Sequence, residues 1–466
     1  MAKLNIRMWL NAGVWVTTAP VVLVGILCLL AVSEGMAQTR ETILRIHGSN
    51  TIGAKLAPAL AEAFLKKMGA DSVKVDTIVP KTEINVEGTF PSKDLIQVIE
   101  IRAHGSKTGF QGLKSGACDI AMSSTTITTE QAAELASLAP NGGMTGVASE
   151  HVVGLDGVAI VVNVANPWVS RLSLATLSDI FSGRIRNWKE FNGPDAPIVL
   201  HGRDENSGTH DAFQKIVLRD RQIDGSTNRW DSNDKVSDAV SANQYAIGYC
   251  GFPYVKQNKA LGISDGGQTL RPTPFTIATE DYPISRRLYF YTPESPRNKY
   301  TQSFVAFALG AEGQGYVKKN QFAELTITAK EHEVSADAVA QDRAVVDAYL
   351  QAVRGARRLS LNFRFKTAKY DLDSRALRDL DRMVDFLQEN GGASGELILA
   401  GFADSVGDYR KNCNLSRDRA RTVQAELRSR GINARQVLGV CEELPVASND
   451  SEWGKGKNRR VEVWVK

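Results

Sequence analysis

Apolar and polar positions follow two different patterns along the chain, and the first extends from Thr42 to about Glu324. Short apolar runs rich in β-branched residues, typical of strands, alternate there with amphipathic stretches at helical spacing. The predicted strands are residues 43–46, 158–162 and 198–200, and the predicted helices are residues 54–67, 174–181 and 211–217. This alternation predicts an α/β fold for the first part of the chain.

The pattern changes at Arg357, where apolar residues alternate as in a half-buried strand and then recur at helical spacing. The alternating positions are Leu359, Leu361, Phe363 and Phe365, and the helical positions are Leu377, Leu380, Met383, Val384 and Leu387. A strand at residues 397–400, a helix at 416–430 and a strand at 461–465 follow. We therefore predict a compact α+β module over residues 357–466. Residues 326–356 are rich in alanine and charge, which predicts a helical connector.

Residues 1–37 have the order of parts found in a secretory signal peptide. Lys3 and Arg7 precede an apolar stretch over residues 13–32, and small residues follow at 35–37. An apolar stretch of about 20 residues could also anchor the uncleaved chain in a membrane. Its two threonines and its proline favour cleavage, and no later segment is apolar enough to span a bilayer. We therefore predict export to the periplasm as a soluble protein.

Export makes the cysteines candidates for disulfides. Four remain beyond residue 37, namely Cys118, Cys250, Cys413 and Cys441, and four cysteines allow three pairings. The pair Cys413–Cys441 is favoured because both residues lie in the C-terminal module, and whether Cys118 and Cys250 form a second pair is left open. No two cysteines have CxxC-like spacing and the six histidines include no HExxH motif, so we expect neither metal nor cofactor.

Length and charge narrow the class of protein. A chain of 466 residues, 43% of them hydrophobic, suffices for two or three globular domains. A net charge of +4 gives no basis for nucleic-acid binding. The charge is unevenly divided, since the part beyond residue 356 holds 21 Lys and Arg against 16 Asp and Glu. The part before it is slightly acidic, so an anion bound there must be held by local donors.

Four predicted strand-to-helix turns are built from small polar residues, at residues 48–51, 105–108, 122–125 and 203–209. Backbone N–H groups at a helix start and small hydroxyl side chains are donors suited to an anion. Arg203 adds a fork of donors that matches a tetrahedral oxyanion. For any one turn, helix capping is the simpler explanation. Four such turns, one of them with an arginine, favour an oxyanion site.

The sequence evidence for catalysis is weaker than the evidence for an oxyanion site. Ser207 and His210 are close in sequence, but no GxSxG elbow surrounds them and no acid partner is marked. The turn at residues 105–108 lacks the GxxxxGK[ST] spacing of a nucleotide-binding loop. We therefore predict a binding protein and not an enzyme, with no catalytic residues, and keep a phosphoryl-handling hydrolase as a less favoured alternative.

Residues 42–324 resemble the periplasmic phosphate-binding proteins of ABC transporters, which have a two-lobed type II periplasmic-binding fold. The resemblance rests on the ordered segments HGSNTIGAKL, GSKTGFQGLKSGACDIAMSS, LDGVAIVVNVANP, LSLATLSDIFSGRIRNWKEFNGPDAPIVLHGRDENSGTHDAFQ, AIGYCGFPYVK and YPISRRLYFY. It implies that phosphate or a similar oxyanion is held between the lobes, with an ABC permease as a possible partner. By motif position, the implied anion-binding residues are Asn50, Thr51, Ser106, Arg203, Ser207, Gly208 and Thr209.

Ser124 departs from the pattern of that family. Relatives often have an aspartate at this position, where it accepts a proton from bound hydrogen phosphate. An aspartate repels a fully ionised anion such as sulfate, whereas a serine hydroxyl can donate or accept. We therefore count Ser124 among the anion-binding residues and leave the choice between phosphate and sulfate open. Residues 81–104 also form a longer connection than is usual, to which we assign no role.

Residues 357–466 resemble the OmpA-like peptidoglycan-binding domain. The matching segments are LSLNFRFKTAKYDLDSRALRDLDRMVDFL, LILAGFADSVGDYRKNCNLSRDRARTVQAELRSRGI and NRRVEVWV. In that family an aspartate and an arginine bind the diaminopimelate of the stem peptide, and the matching positions are Asp404 and Arg419. A carboxylate suits the ligand's ammonium and a guanidinium its carboxylate, although outside the motif the pair would indicate a surface salt bridge. Cys441 stands where the family commonly has glycine, which agrees with a disulfide to Cys413.

Together these features predict a periplasmic protein of four parts. They are a signal peptide (1–37), a two-lobed phosphate-binding module (38–325), a helical connector (326–356) and an OmpA-like peptidoglycan-binding domain (357–466). Such a protein would bind its oxyanion while tethered to the cell wall near the outer membrane. An alternative of another class is an envelope-structural or cell-wall interaction protein whose lobed module has lost or changed its ligand.

Overall fold

The computed structural model describes residues 39–205, 207–331, 340–365, 372–390 and 396–466, without the side chain of residue 93. The predicted signal peptide lies outside the described residues. The strands are β1 (Thr39–Gly48), β2 (Ser72–Val79), β3 (Glu83–Phe90), β4 (Leu95–Arg102), β5 (Ile120–Ser123), β6 (Glu150–Val162), β7 (Arg171–Ser173), β8 (Val199–Arg203), β9 (Asn228–Trp230), β10 (Ala246–Gly251), β11 (Lys259–Ala260), β12 (Gly262–Ser264), β13 (Ser285–Tyr291), β14 (Ala329–Glu331), β15 (Arg357–Arg364), β16 (Leu397–Gly401), β17 (Ala434–Gly439) and β18 (Arg460–Val465). The helices are α1 (Asn50–Gly53), α2 (Leu56–Lys67), α3 (Ser106–Ser115), α4 (Thr129–Glu134), α5 (Leu174–Phe181), α6 (Gly208–Phe213), α7 (Asn233–Ser241), α8 (Pro274–Ala278), α9 (Lys299–Leu309), α10 (Ala311–Lys319), α11 (Arg343–Val353), α12 (Ser374–Glu389), α13 (Tyr409–Ser429) and α14 (Glu452–Asn458).

The first module is a two-lobed α/β fold on a long mixed sheet. Its strand order is β2-β3-β4-β1-β5-β13-β6-β10-β8-β9, and β11 also pairs with β6. One apolar core packs β1, β3 and β4 against α2 and α9, and a second surrounds β6, β10 and α5. β6 contributes to both, since Val153 lies in the first core and Leu155 in the second. The antiparallel strands β6 and β13 therefore connect the two halves.

The predicted elements of this module agree closely with the observed ones. α5 has the bounds predicted from the sequence, whereas α6 is shorter than predicted and continues as a π-helical turn over Gln214–Leu218. The long connection at residues 81–104 forms β3 and β4, which pair with each other antiparallel while β2 forms the sheet edge. Within the described part of the chain, no helix is long and apolar enough to cross a membrane.

The C-terminal module is a sheet of order β14-β15-β18-β16-β17 with helices on both faces. α12 and α13 bury Leu380, Met383 and Val423 against one face, and α11 buries Val346 and Tyr349 against the other. α12 follows the apolar spacing that predicted it, and all three helices place an apolar stripe on the sheet.

The predicted helical connector differs from the observed structure in one respect. Among its described residues, α11 forms a helix and β14 pairs with β15 as an edge strand. Ile327 is buried in the core of the C-terminal module beside this strand. The alanine-rich composition does not reveal β14, because its partner strand begins 26 residues after Glu331 and an edge strand of three residues has little pattern of its own.

Buried charged side chains join the two modules. This junction cluster consists of Glu280, Asp281 and Arg287 from the first module and Arg364 and Arg375 from the second. Burial alone would raise the pKa of Glu280, but the charges of the three arginines outweigh it and hold that pKa below its usual range. Buried charges persist only when paired in this way. The modules therefore form one compact unit over Thr39–Lys466.

Candidate functional site

Five residues from four segments converge where the two halves of the first module meet. We call Thr51, Ser124, Gly208, Thr209 and Arg286 the anion cradle. Arg286 donates from Nη2 to Thr51 Oγ1 at 3.2 Å and to Thr209 Oγ1 at 3.3 Å, and from Nη1 to the carbonyl of Gly208. A β-carbon added to Gly208 would lie 2.8 Å from both Ser124 Oγ and Thr51 Oγ1. Two hydroxyls thus contact one guanidinium, the hydroxyl of Ser124 lies beside Gly208, and the glycine leaves the space between Ser124 and Thr51 open.

Arg286 is held in place by a buried carboxylate. It stands directly opposite Asp156 in the antiparallel pairing of β13 with β6. Its Nε and Nη2 donate to Asp156 Oδ2 at 3.0 and 2.6 Å, and the two side chains are 4% and 2% exposed. A fixed, desolvated guanidinium with hydroxyl neighbours is suited to bind a tetrahedral oxyanion.

Two buried polar atoms of the predicted site have no hydrogen-bond partner among the described residues. They are Ser124 Oγ and Asn50 Oδ1, and Asp156 Oδ1 behind the cradle is a third such atom. Buried polar groups in native proteins are nearly always hydrogen-bonded. The Ser124 hydroxyl, beside Gly208 and Thr51, is therefore free to bind a ligand oxygen.

The remaining predicted residues lie around the cradle in supporting positions. Ser106 Oγ accepts a hydrogen bond from the backbone N–H of Ser124 at 3.2 Å. Ser207 Oγ accepts from the N–H groups of Thr209 and His210, so it caps α6. The side chain of Ser207 therefore acts as a helix cap, which is the simpler explanation considered for these turns.

The described hydrogen bonds of the Arg203 side chain do not include the hydroxyls of the anion cradle. Its Nε and Nη2 donate to the carbonyls of Trp230 and Asp231 at 3.2 and 3.0 Å. Burial lowers the pKa of Arg203, and the positive charge of Arg286 acts in the same direction. The guanidinium that contacts Thr51 and Thr209 is that of Arg286.

Sequence reasoning missed Arg286 and Asp156, although a signal for both was present. Each is a charged residue within an otherwise apolar strand, in the segments YPISRRLYFY and LDGVAIVV. A charge at such a position is costly unless it is paired. Two charges of opposite sign, one in each of two such strands, are candidates for a buried pair.

Ser207 and His210 do not form a nucleophile–base pair in their described contacts. His210 Nδ1 lies 2.8 Å from the hydroxyl of Tyr249, and Ser207 Oγ accepts two backbone N–H groups. Burial, with the charges of Arg229 and Arg203, lowers the pKa of His210 to about 4. In the described part of the chain, no group of three or more His, Cys, Asp and Glu is placed to hold a metal ion.

Asp404 and Arg419, the predicted peptidoglycan-binding residues, are both buried in the C-terminal module. Asp404 Oδ2 accepts from Arg459 Nη1 at 2.7 Å, and its Oδ1 accepts from the N–H of Val406. Arg419 Nη1 donates to the carbonyl of Phe402 at 3.3 Å, and its guanidinium lies over the ring of Phe365. Asp404 is thus held by Arg459, which the sequence did not indicate.

The four cysteines that the structure describes form one disulfide. Cys413 and Cys441 are bonded, which confirms the favoured pairing. Cys118 and Cys250 are free and buried, so the second pair that the sequence left open is not formed. Burial raises the pKa of both thiols to about 12. Cys118 instead packs against Gly112 of α3.

The two-lobed fold and the oxyanion-type cradle define a solute-binding protein, and comparison with known proteins identifies the family. Residues 36–312 match the family described as PBP superfamily domain, and residues 364–459 match the OmpA family. The chain is 31% identical over 255 residues to the phosphate-binding protein PstS of Staphylococcus saprophyticus, covering 53% of this chain and 76% of that one. It therefore belongs to the PstS family of phosphate-binding proteins and carries an OmpA-family domain at its C-terminus.

Two further comparisons describe the extent of the similarity. The PstS of Staphylococcus epidermidis is 33% identical over 227 residues, which cover 46% of this chain and 67% of that one. A protein from Clostridium perfringens whose crystal structure contains bound phosphate is 28% identical, with a TM-score of 0.45. That comparison covers 61% of this chain and 99% of the other.

Proposed function

We propose that this chain binds phosphate in the anion cradle and is attached to peptidoglycan through its OmpA-like domain, in the periplasm. The observation that carries the first part is the buried guanidinium of Arg286, which contacts the hydroxyls of Thr51 and Thr209, with the unpartnered hydroxyl of Ser124 beside Gly208. Relatives named as phosphate-binding proteins support the same ligand. Asn50, Ser106, Arg203 and Ser207 complete the proposed site. Ser106 accepts a hydrogen bond from the backbone of Ser124, and Ser207 caps α6.

Calorimetry of the purified chain with phosphate tests this proposal. Arg286→Ala is expected to reduce the affinity by about a hundredfold or more, since the charged hydrogen bonds to the anion are lost. Arg184→Ala, at a largely exposed position, is the matched control and should bind as the parent does. Arg203→Ala shows whether Arg203 also contributes to phosphate affinity, as the family resemblance implies. Unchanged phosphate binding in Arg286→Ala would contradict the proposed site.

Attachment to peptidoglycan is tested separately by sedimentation with purified cell-wall sacculi. Asp404→Asn is expected to abolish retention, because the ligand's ammonium loses its carboxylate partner. Asp418→Asn, a more exposed position on α13, is the control and should be retained. A chain that binds sacculi but no oxyanion would instead be an envelope-structural protein. Delivery to an ABC permease is part of the proposal only by analogy with relatives.

A further inference from the structure

A cavity of about 270 Å³ adjoins the anion cradle and is bounded by both modules. Ser124 and Arg286 of the cradle are among its lining residues, and Trp453, Gly456 and Lys457 line it from α14 of the C-terminal module. We call it the side cavity. It is close to the lower end of the range of about 300–1,000 Å³ that is typical of small-molecule sites. A lone tetrahedral oxyanion bound by Ser124 and Arg286 would leave much of it unfilled.

The C-terminal boundary of the side cavity is firmly placed. Lys457 is 5% exposed, and its ammonium donates to the carbonyls of Glu280 and Tyr282 and to Ser285 Oγ at 2.6–2.9 Å. The same ammonium lies 5.5 Å from the centre of the Trp453 ring. Three hydrogen bonds to the first module fix α14 beside β13, so the indole is held at the cavity.

The side cavity has a mixed lining that suits an organic group. Ala212, Ile216 and Trp453 provide apolar surface, and Trp453 is 41% exposed although it is a large aromatic residue. Charged side chains line it as well, namely Lys215, Asp373 and Glu452, and Glu280, Arg287 and Arg364 of the junction cluster. A partly exposed indole is a common surface for stacking a sugar or an aromatic ring.

We propose that the ligand of this chain is a small phosphate monoester, with its phosphoryl group in the anion cradle and its organic group in the side cavity against Trp453. The proposal rests on the proposed function, since it assigns the phosphoryl group to the same cradle. Ser124 fits it chemically. A monoester has a second pKa of about 6, so at neutral pH its three terminal oxygens accept hydrogen bonds and carry no proton. Such a group needs donors, and a serine hydroxyl is one, whereas an aspartate at this position would repel it.

Competition calorimetry on the full chain tests the proposal with inorganic phosphate, glycerol 3-phosphate and phenyl phosphate. At least one ester is expected to bind about tenfold more tightly than inorganic phosphate. Trp453→Ala is expected to abolish this preference while inorganic phosphate binds within about twofold of the parent. Gly456→Leu adds bulk at a lining position, where an added β-carbon would lie 3.5 Å from Arg459 Nη2, and should have the same effect without removing the indole. Thermal unfolding of both variants shows whether they are folded.

The possible results separate this proposal from the proposed function. Phosphate binding without ester binding would overturn the ester proposal and leave the phosphate site intact. Ester preference that persists in both Trp453→Ala and Gly456→Leu would overturn the role of the side cavity. Binding of neither phosphate nor ester would contradict the proposed function as well. Loss of ester binding alone in both variants, with phosphate binding retained, supports the proposal.

Discussion

Arg286 and Asp156 face each other on adjacent antiparallel strands, and two nitrogens of the arginine donate to a single oxygen of the carboxylate. Both side chains are nearly inaccessible to solvent. The pair connects the two halves of the first module at the point where the anion cradle lies. Its removal should therefore affect folding and ligand binding together.

Asp156→Asn is expected to lower the free energy of unfolding by about 3–5 kcal/mol, because a buried guanidinium is left without its charged partner. Added phosphate should recover more stability in this variant than in the parent, since the anion then becomes the partner of Arg286. Urea unfolding with and without phosphate measures both effects. Asp195→Asn, which removes an exposed carboxylate paired with Lys189, should cost less than about 1 kcal/mol.

Gly208→Ala is expected to weaken phosphate binding by about tenfold or more while the chain remains folded. The added β-carbon would lie 2.8 Å from the hydroxyls of Ser124 and Thr51 and would occupy the space between them. Calorimetry gives the affinity. Gly225→Ala is the matched control, because no atom lies within 4 Å of the β-carbon it would add. Equal affinity in the two variants would show that the ligand does not lie beside Gly208.

Ser124→Asp is expected to make the site selective for phosphate over sulfate. A buried carboxylate beside a fully ionised anion costs several kcal/mol, so sulfate affinity should fall by about a hundredfold or more. Hydrogen phosphate can donate its proton to the new carboxylate and should be affected far less. Parallel titrations with the two anions provide the measurement. A parent chain that already excludes sulfate would show that Ser124 does not set the selectivity.

Lys457 should make stability depend on pH in the alkaline range. Burial, together with the charge of Arg364, lowers the pKa of Lys457 to about 7. Between pH 7 and about 10.4, the ordinary lysine value, the unfolded chain holds a proton that the folded chain has released. The contribution of this group to stability therefore rises as the pH rises through that window.

The comparison of the parent with Lys457→Met isolates this effect. The difference in melting temperature, parent minus Lys457→Met, should increase between pH 7 and pH 10. Lys74→Met removes a largely exposed ammonium and should show no such trend. A constant difference between the parent and Lys457→Met across this range would mean that Lys457 keeps an ordinary pKa.

Cys413 and Cys441 are 28 residues apart in the sequence, and their disulfide closes the loop between them. Loop-closure entropy then predicts that its loss lowers the free energy of unfolding by about 3–4 kcal/mol. Chemical unfolding with and without a reducing agent measures this contribution. The double variant Cys413→Ser/Cys441→Ser should be insensitive to the reducing agent, because Cys118 and Cys250 are free thiols. Reductant sensitivity in that variant would contradict the assignment.

The amino-acid sequence determined the elements with strong local patterns. α5 could be predicted to the residue, and α12 to within a few residues, because their apolar side chains recur at helical spacing. The disulfide could be predicted because both cysteines lie in one module. The turns that contain Thr51, Ser124 and Gly208 could be predicted to lie together as a candidate oxyanion site because small polar residues cluster there.

The tertiary structure decided which groups meet. Arg286 is 130 residues from Asp156 and 235 residues from Thr51, and no local pattern specifies such contacts. It is Arg286 that contacts the cradle hydroxyls, while Arg203 donates to backbone carbonyls. The packing of α14 beside the cradle is likewise set by Lys457 and the junction cluster. These contacts depend on the burial of paired charges between distant segments, and only the folded chain brings those segments together.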